Sequence, residues 1–124
     1  MKKKILVVDD SALVREMYRA HLEEGGYEVL VAVDGIEAIN AAFSFSPELI
    51  LLDVHMPKIN GYQVCRLLKD HSATKDIPII IMTARDGGGV VEDPQKWSFQ
   101  TGADGFYSKD EGAALIPAVA QCFS

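Results

Sequence analysis

The sequence predicts an α/β fold: a doubly wound, five-stranded parallel sheet with strand order 2-1-3-4-5, flanked by five helices. Short, nearly unbroken runs of β-branched and leucine residues recur along the chain, and such runs are typical of strands buried on both faces of a parallel sheet. Segments with helical spacing of apolar residues separate these runs. Strict alternation of strands and helices with short connections favours right-handed crossovers, and five strands fit the 2-1-3-4-5 order.

The predicted strands are four apolar runs bounded by polar or turn residues, followed by a weaker aromatic pair after Gly105. In chain order they are Ile5–Val8, Val29–Val33, Leu49–Leu52, Ile79–Met82 and Phe106–Tyr107.

The predicted helices fill the intervals between the strands. The first ends at Gly25, Asp34 caps the second, and Gly61 opens the third. A fourth is expected to begin near Asp93 and a fifth after Lys109. The apolar positions expected to face inward are Val14, Met17, Tyr18 and Leu22 in the first helix, Ala38, Ile39 and Ala42 in the second, and Val64, Leu67 and Leu68 in the third.

Length and composition indicate one domain of ordinary size over residues 1–124. Apolar residues make up 48% and charged residues 24% of the chain, and no apolar run approaches the roughly 20 residues of a membrane-spanning helix. Cys65 and Cys122 lack metal-ligand spacing and are expected to be reduced thiols that serve packing. The net charge of −6 argues against direct contact with nucleic acid. We therefore expect a cytoplasmic domain that neither enters a membrane nor binds DNA itself.

Polar residues stand where the predicted strands end. Asp9 and Asp10 follow the first strand, Asp53 the third, Thr83 the fourth and Lys109 the fifth. In an open α/β sheet, ligands bind outside the carboxyl ends of the strands. These side chains are therefore expected to face one crevice.

Three clustered carboxylates need a compensating charge. Two like charges about 4 Å apart repel by about 4 kcal/mol at an effective dielectric near 20. Their pKa values must shift, Lys109 must approach, or a cation must bind. An all-oxygen site with waters suits Mg²⁺, and a carboxylate beside that ion can act as a nucleophile.

Each of these residues also has a purely structural interpretation. Asp10 can cap the first helix, Asp53 can be a turn residue, and Lys109 taken alone is more often a solvated charge. Their convergence on one edge favours the functional interpretation. His55 and His71 have no carboxylate or cysteine at ligand spacing, so neither imidazole is expected to hold a metal.

The motifs that contain these residues resemble those of response regulator receiver domains in two-component signalling. The resemblance covers essentially the whole chain, and although each motif is weak alone, together they stand in the family's order. The motifs are Asp9-Asp10, Asp53-Val54-His55-Met56-Pro57, Asn60-Gly61, Thr83-Ala84 and Gly102-Ala103-Asp104-Gly105-Phe106-Tyr107-Ser108-Lys109.

The resemblance implies a phosphorylation site. Asp53 would be the nucleophile that becomes the aspartyl phosphate. Asp10, Asp53 and the backbone carbonyl of His55 would ligate Mg²⁺, and Asp9 would act through water. Lys109 would pair with the acceptor carboxylate or with a phosphoryl oxygen.

The resemblance also implies a switch. Thr83 would bond the phosphoryl group, Phe106 would turn into the space that Thr83 vacates, and Ala84 would leave room for the donor or water. His55 and Arg85 would line the approach and tune the lifetime of the phosphorylated state. A sensor histidine kinase or a histidine phosphotransfer protein would supply the phosphoryl group. The fourth helix, fifth strand and fifth helix would signal to a downstream protein or output domain.

Three features depart from the family's pattern. The interval from Thr83 to Lys109 is several residues longer than usual and contains Gly87-Gly88-Gly89. Asp110 stands where proline is usual. Pro117 falls inside the expected fifth helix, which predicts a late helix start or a kink.

Two competing functions remain open at this point. The second hypothesis is a receiver-like docking module that is not phosphorylated, its switch disabled by the altered fourth helix. A third class is a flavin-binding protein or a haloacid-dehalogenase-type phosphatase. The turn Asp9-Asp10-Ser11-Ala12 lacks the loop that would cradle a flavin phosphate, and His55 stands where those phosphatases need aspartate.

Overall fold

The computed structural model describes residues 2–54, 61–83 and 104–108, together with residues 117, 119–121 and 123. The elements are β1 Lys4–Val8, α1 Ala12–Glu24, β2 Glu28–Ala32, α2 Gly35–Phe45, β3 Leu49–Asp53, α3 Gly61–Lys69, β4 Ile79–Thr83 and β5 Gly105–Ser108. Residues 117 and 119–121 are also helical, within the predicted fifth helix. The predicted fourth helix lies outside the described residues.

The strands form one parallel sheet in the order β2-β1-β3-β4-β5, which confirms the predicted topology. Every residue of the central strand β3 is buried. In β1, Val8 pairs with Ala32 of β2 on one side and with Leu52 of β3 on the other. Because of this register, Asp9, which follows β1, and Asp53, which ends β3, lie side by side at the carboxyl edge of the sheet.

Helices pack on both faces of the sheet. Along β1, Leu6 and Val8 belong to a buried cluster with α2 and α3, whereas Ile5 and Val7 belong to a second cluster with α1. Val119 is buried in the second cluster, which places these C-terminal helical residues on the α1 face. Each fully buried aliphatic side chain contributes about 1.5–3 kcal/mol. Burial on both faces explains why the strands are unbroken apolar runs.

Local side-chain caps set the starts of the first two helices. The Ser11 hydroxyl accepts a hydrogen bond from the Val14 amide at 3.3 Å, and the Asp34 carboxylate accepts one from the Glu37 amide at 2.8 Å. Each such cap is worth about 1 kcal/mol. The predicted cap at Asp34 and the predicted end of α1 at Gly25 are both confirmed.

Two of the positions predicted to face inward are partly exposed to solvent. Met17 in α1 is 43% exposed and Leu67 in α3 is 44% exposed. The buried residues of α3 are Gly61, Val64, Cys65 and Leu68. Leu67 lies to one side of that face because successive helical residues are about 100° apart. The apolar spacing identified an amphipathic helix but misplaced the centre of its buried face.

Three remaining expectations concern a thiol, a proline and the membrane. Cys65 is buried, as expected of a thiol that serves packing, whereas Cys122 lies outside the described residues. Pro117 is helical, but the beginning of its helix is not among the described residues, so the late start or kink stays a prediction. In the described part of the chain, no helix has both the length and the apolar character needed to cross a membrane.

Candidate functional site

Three carboxylates converge at the carboxyl edge of the sheet, where β1 and β3 end. Asp9, Asp10 and Asp53 each offer one carboxylate oxygen to a group in which all three oxygens lie within 4.8 Å of one another. Asp9 is 0% exposed and Asp53 is 1% exposed, whereas Asp10 is exposed. The predicted clustering of these three residues is therefore confirmed.

Asp9 is fixed by hydrogen bonds to its amide, its carboxylate and its carbonyl. Its amide donates to the Ala32 carbonyl at 3.1 Å, which extends the pairing of β1 with β2 by one residue. Its Oδ1 atom accepts from the Ser11 amide at 2.9 Å. Its carbonyl accepts from Nη1 of Arg15 at 2.8 Å. The turn from β1 into α1 therefore holds this buried carboxylate in one orientation.

Asp53 is placed by the sheet on one side and by α3 on the other. It ends β3, and the amide of the next residue, Val54, donates to the Met82 carbonyl of β4 at 3.2 Å. The Val54 carbonyl in turn accepts from the Gly61 amide at 3.1 Å. Val54 and Gly61 are thus hydrogen-bonded to each other beside the acidic group.

Gly61 lets the first turn of α3 lie directly on the backbone of this strand end. A Cβ atom at this position would lie 2.9 Å from the Cα atom of Val54 and closer still to the Asp53 carbonyl oxygen. Backbone atoms in a packed interior cannot yield as the end of a flexible side chain can. The absence of a side chain at Gly61 is therefore a requirement of the close approach between α3 and β3.

The donor set suits a hard divalent cation. All three groups are carboxylates, the ligands that Mg²⁺ and Ca²⁺ prefer. Two of them are buried, so their mutual repulsion is screened less than it would be in water, and a bound cation would remove that repulsion. Asp10 leaves the group open to solvent, and Mg²⁺ usually keeps several waters. The residues present fit the metal that the sequence predicted.

Two other predicted site residues are described only by their backbones. Thr83 ends β4 and pairs with Ser108 of β5, one residue beyond the pairing of Asp53 with Met82. Phe106 lies within β5. The switching roles predicted for the side chains of Thr83 and Phe106 stay predictions, because those side chains lie outside the described part of the chain.

The remaining predicted site residues are outside the described residues altogether. They are His55, Ala84, Arg85 and Lys109. Their predicted roles in metal binding, approach to the site and charge neutralisation therefore stay predictions.

One residue of the described site was missed by sequence reasoning. Arg15 bonds the Asp9 carbonyl from the first part of α1. A usable signal existed, because Ser11 is a helix cap and an arginine four residues later can reach back past the cap to the strand end. Nothing in the apolar pattern, however, distinguishes this arginine from a solvated one.

Comparison with known proteins identifies the family. The sequence of residues 5–121 matches the family model of the response regulator receiver domain. The fold and the acidic group are those expected of such a domain. The chain therefore belongs to the receiver domain family of response regulators, which act in two-component signalling.

Individual relatives show the same relationship. RpaA of Synechocystis sp., a DNA-binding dual master transcriptional regulator, is 37% identical over 106 residues, which cover 86% of this chain and 42% of RpaA. The response regulator MprA of Mycobacterium bovis is 46% identical over 86 residues, which cover 69% of this chain and 36% of MprA. The match therefore spans less than half the length of either relative. The chemotaxis response regulator CheY4 of Vibrio cholerae has a similar structure, with a TM-score of 0.86 and 30% identity over 98% of this chain and 99% of that one.

Proposed function

We propose that this domain is a phosphorylation-dependent signalling switch in which Asp53 accepts a phosphoryl group from a histidine kinase or a histidine phosphotransfer protein. The observation that carries the proposal is the buried Asp53 carboxylate, one of whose oxygens lies within 4.8 Å of carboxylate oxygens of Asp9 and Asp10. A nucleophilic carboxylate needs a partner that neutralises the charge of an incoming phosphate. A divalent cation among these three groups is suited to that task.

The proposed transfer needs no reactant besides the phosphorylated histidine of the donor, and the later hydrolysis needs only water. An Asp53 carboxylate oxygen attacks phosphorus, the bond from phosphorus to the donor's imidazole nitrogen breaks, and that nitrogen takes up a proton. Water later attacks the same phosphorus, releases inorganic phosphate and restores the carboxylate. Apart from these reactions of its own aspartate, the domain is proposed to have no enzymatic activity.

The metal site follows from the family's motif. Asp10, Asp53 and the backbone carbonyl of His55 would hold Mg²⁺, with Asp9 acting through water. When bound, the ion supplies positive charge beside the phosphoryl oxygens. Lys109 would neutralise a further phosphoryl oxygen.

The proposed switch lies in the part of the site that follows β4. Thr83 would bond the phosphoryl group and draw Phe106 inward, while Ala84 leaves room for the attacking group. His55 and Arg85 would set how quickly water reaches the phosphate. Phosphorylation can shift the conformational equilibrium only through contacts that differ between the two states. The fourth helix, β5 and the fifth helix are the proposed surface that carries this shift to a downstream protein or output domain.

We also propose that residues 1–124 form a single receiver domain that does not itself contact nucleic acid. RpaA is named a DNA-binding regulator and is much longer than its match to this chain. A domain with a net charge of −6 is poorly suited to a phosphate backbone. A DNA-binding function of the natural protein would then require a further domain.

Acetyl phosphate and intact mass provide the test. With Mg²⁺ present, the wild-type chain is expected to gain the mass of one phosphoryl group, and Asp53→Asn is expected to gain none. Asp70→Asn is the matched control, because Asp70 is an exposed aspartate just beyond α3, and it should react like wild type. Chelation of Mg²⁺ should abolish the gain in mass of the wild type and of Asp70→Asn. An unreactive wild-type chain would favour the docking module that is not phosphorylated.

A further inference from the structure

We infer that Arg15 is a positioning residue for the metal site, and that it acts through the peptide group that joins Asp9 to Asp10. The inference rests on the proposed function, because it concerns the site proposed to bind Mg²⁺. Arg15 belongs to α1, yet its Nη1 atom donates to the Asp9 carbonyl at 2.8 Å. That carbonyl belongs to the peptide plane between the two acidic residues.

The two carboxylates depend on this peptide group to different degrees. Asp9 is buried, and the Ser11 amide also holds its Oδ1 atom at 2.9 Å. Asp10 is exposed, so packing does not restrain its side chain. The direction of the Asp10 carboxylate is therefore set mainly by its backbone, whose preceding peptide plane Arg15 holds.

Arg15 is well suited to hold this peptide plane because α1 itself is anchored there. The Arg15 amide donates to the Ser11 carbonyl at 3.0 Å, the first hydrogen bond of the helix. The same residue thus bonds two carbonyls of the turn, one through its backbone and one through its half-buried side chain. A charged donor also makes a stronger hydrogen bond than a neutral one.

A neighbouring arginine provides the matched control. Arg19 lies one turn further along α1, where its guanidinium is 3.7 Å from Glu16 and 3.5 Å from Glu23. Arg19→Gln removes one positive charge from the same helix without touching the turn that carries Asp9. Comparison of Arg15→Gln with Arg19→Gln therefore separates positioning from a general loss of charge.

The test is a titration of the whole ¹⁵N-labelled chain with Mg²⁺ alone, followed by the amide resonances of residues 9–15 and 53–54. Groups that orient metal ligands typically contribute 10- to 100-fold to metal affinity, so we expect Arg15→Gln to raise the Kd for Mg²⁺ about tenfold. Arg19→Gln should change it by less than about twofold, since exposed ion pairs contribute little. Before metal is added, the resonance shifts of Arg15→Gln should be confined to residues 8–15.

Each outcome has a defined meaning. Equal Mg²⁺ affinity of Arg15→Gln and wild type overturns the inference, and so does equal weakening by Arg15→Gln and Arg19→Gln. A wild-type chain that binds no Mg²⁺ contradicts the proposed metal site instead. Should Arg15→Gln fail to fold, Arg15→Met replaces it, because methionine fills similar space but cannot donate to the Asp9 carbonyl: a threefold or greater loss of affinity supports the inference, and any smaller loss overturns it.

Discussion

At the scale of single residues, the site depends on backbone geometry as much as on its carboxylates. Gly61 begins α3 against the peptide group that follows Asp53, and its amide bonds the Val54 carbonyl. Arg15 and Ser11 fix Asp9 from the other side of the site. None of these three residues belongs to the acidic group itself, so the carboxylates alone do not account for the geometry of the site.

The first prediction concerns Gly61→Ala. The added Cβ would lie 2.9 Å from the Cα of Val54, so α3 must move away from β3. Overpacking of this kind typically lowers the free energy of unfolding by about 1–3 kcal/mol. Urea unfolding measures the change.

Gly25→Ala is the matched control for this prediction. A Cβ at Gly25 would lie 3.4 Å from the nearest atoms, at a φ of −76°. Its effect should not exceed about 1 kcal/mol in either direction. If Gly61→Ala proves as mild as Gly25→Ala, the close approach of α3 to β3 is not a packing requirement.

At the scale of elements, hydrogen bonds and one ion pair join the starts of β1 and β3, on the edge of the sheet opposite the acidic group. The Glu48 amide donates to the Lys4 carbonyl at 2.8 Å. The Glu48 carboxylate lies 3.2 Å from the Lys3 ammonium and accepts from the Lys4 amide at 3.3 Å. The hydrogen bond from Lys3, followed by that from the Lys4 backbone, lowers the pKa of Glu48 below its ordinary value of 4.5.

The second prediction is the pH dependence that follows from this lowered pKa. A carboxyl group whose pKa is lower in the folded state stabilises the fold above its unfolded-state pKa, and this contribution is lost as the pH falls through the folded-state pKa. The difference in Tm between wild type and Glu48→Gln should therefore be larger at pH 7 than at pH 3. Glu24→Gln, at the exposed end of α1, controls for the loss of one carboxylate. The same difference at both pH values would contradict the role given to Glu48.

At the scale of the whole molecule, Lys69 connects three parts of the fold at the amino edge of the sheet. Its ammonium is 2.9 Å from the Asp104 carboxylate, 35 residues away, and donates to the Ile77 carbonyl at 2.7 Å. The same carboxylate oxygen accepts from the Ile79 amide at 2.9 Å. The end of α3, the start of β4 and the residue before β5 therefore share one group of hydrogen bonds.

The third prediction is that Lys69→Met destabilises the whole domain. The Lys69 side chain is only 16% exposed, and hydrogen bonds to charged groups contribute about 1.5–3 kcal/mol each. We expect the free energy of unfolding to fall by about 2–3 kcal/mol, measured by urea unfolding with a single transition.

Lys75→Met is the control, since Lys75 contributes its main-chain carbonyl to this group of hydrogen bonds. Its effect should stay within about 0.5 kcal/mol. Equal effects of the two substitutions would show that the Lys69 ammonium does not hold these elements together.

The sheet was predictable from the sequence because each strand carries its own signal. The predicted and observed bounds differ by at most one residue at each end of β1 to β4, since burial on both faces demands an unbroken apolar run. The convergence of Asp9, Asp10 and Asp53 followed from the parallel topology alone. Helix caps such as Asp34 were equally local signals.

Contacts set by the approach of distant segments were not predictable in this way. Lys69 and Asp104 are ordinary charged residues until the sheet brings them together. The inward position expected for Leu67 was wrong because helical spacing alone does not show which side of α3 meets the sheet. The close approach at Gly61 depends on where a whole helix lies relative to a strand.

The strand order bears on how the domain is assembled during synthesis. β1 pairs with both β2 and β3, so the first three strands to be made already form a contiguous three-stranded sheet. β4 and β5 then extend this sheet from one side, in the order in which they are translated. All three residues of the acidic group come from the first 53 residues, and no strand made later has to be inserted between the strands that carry them. Addition of the last two strands can therefore enlarge the domain without breaking the pairing of β1 with β3.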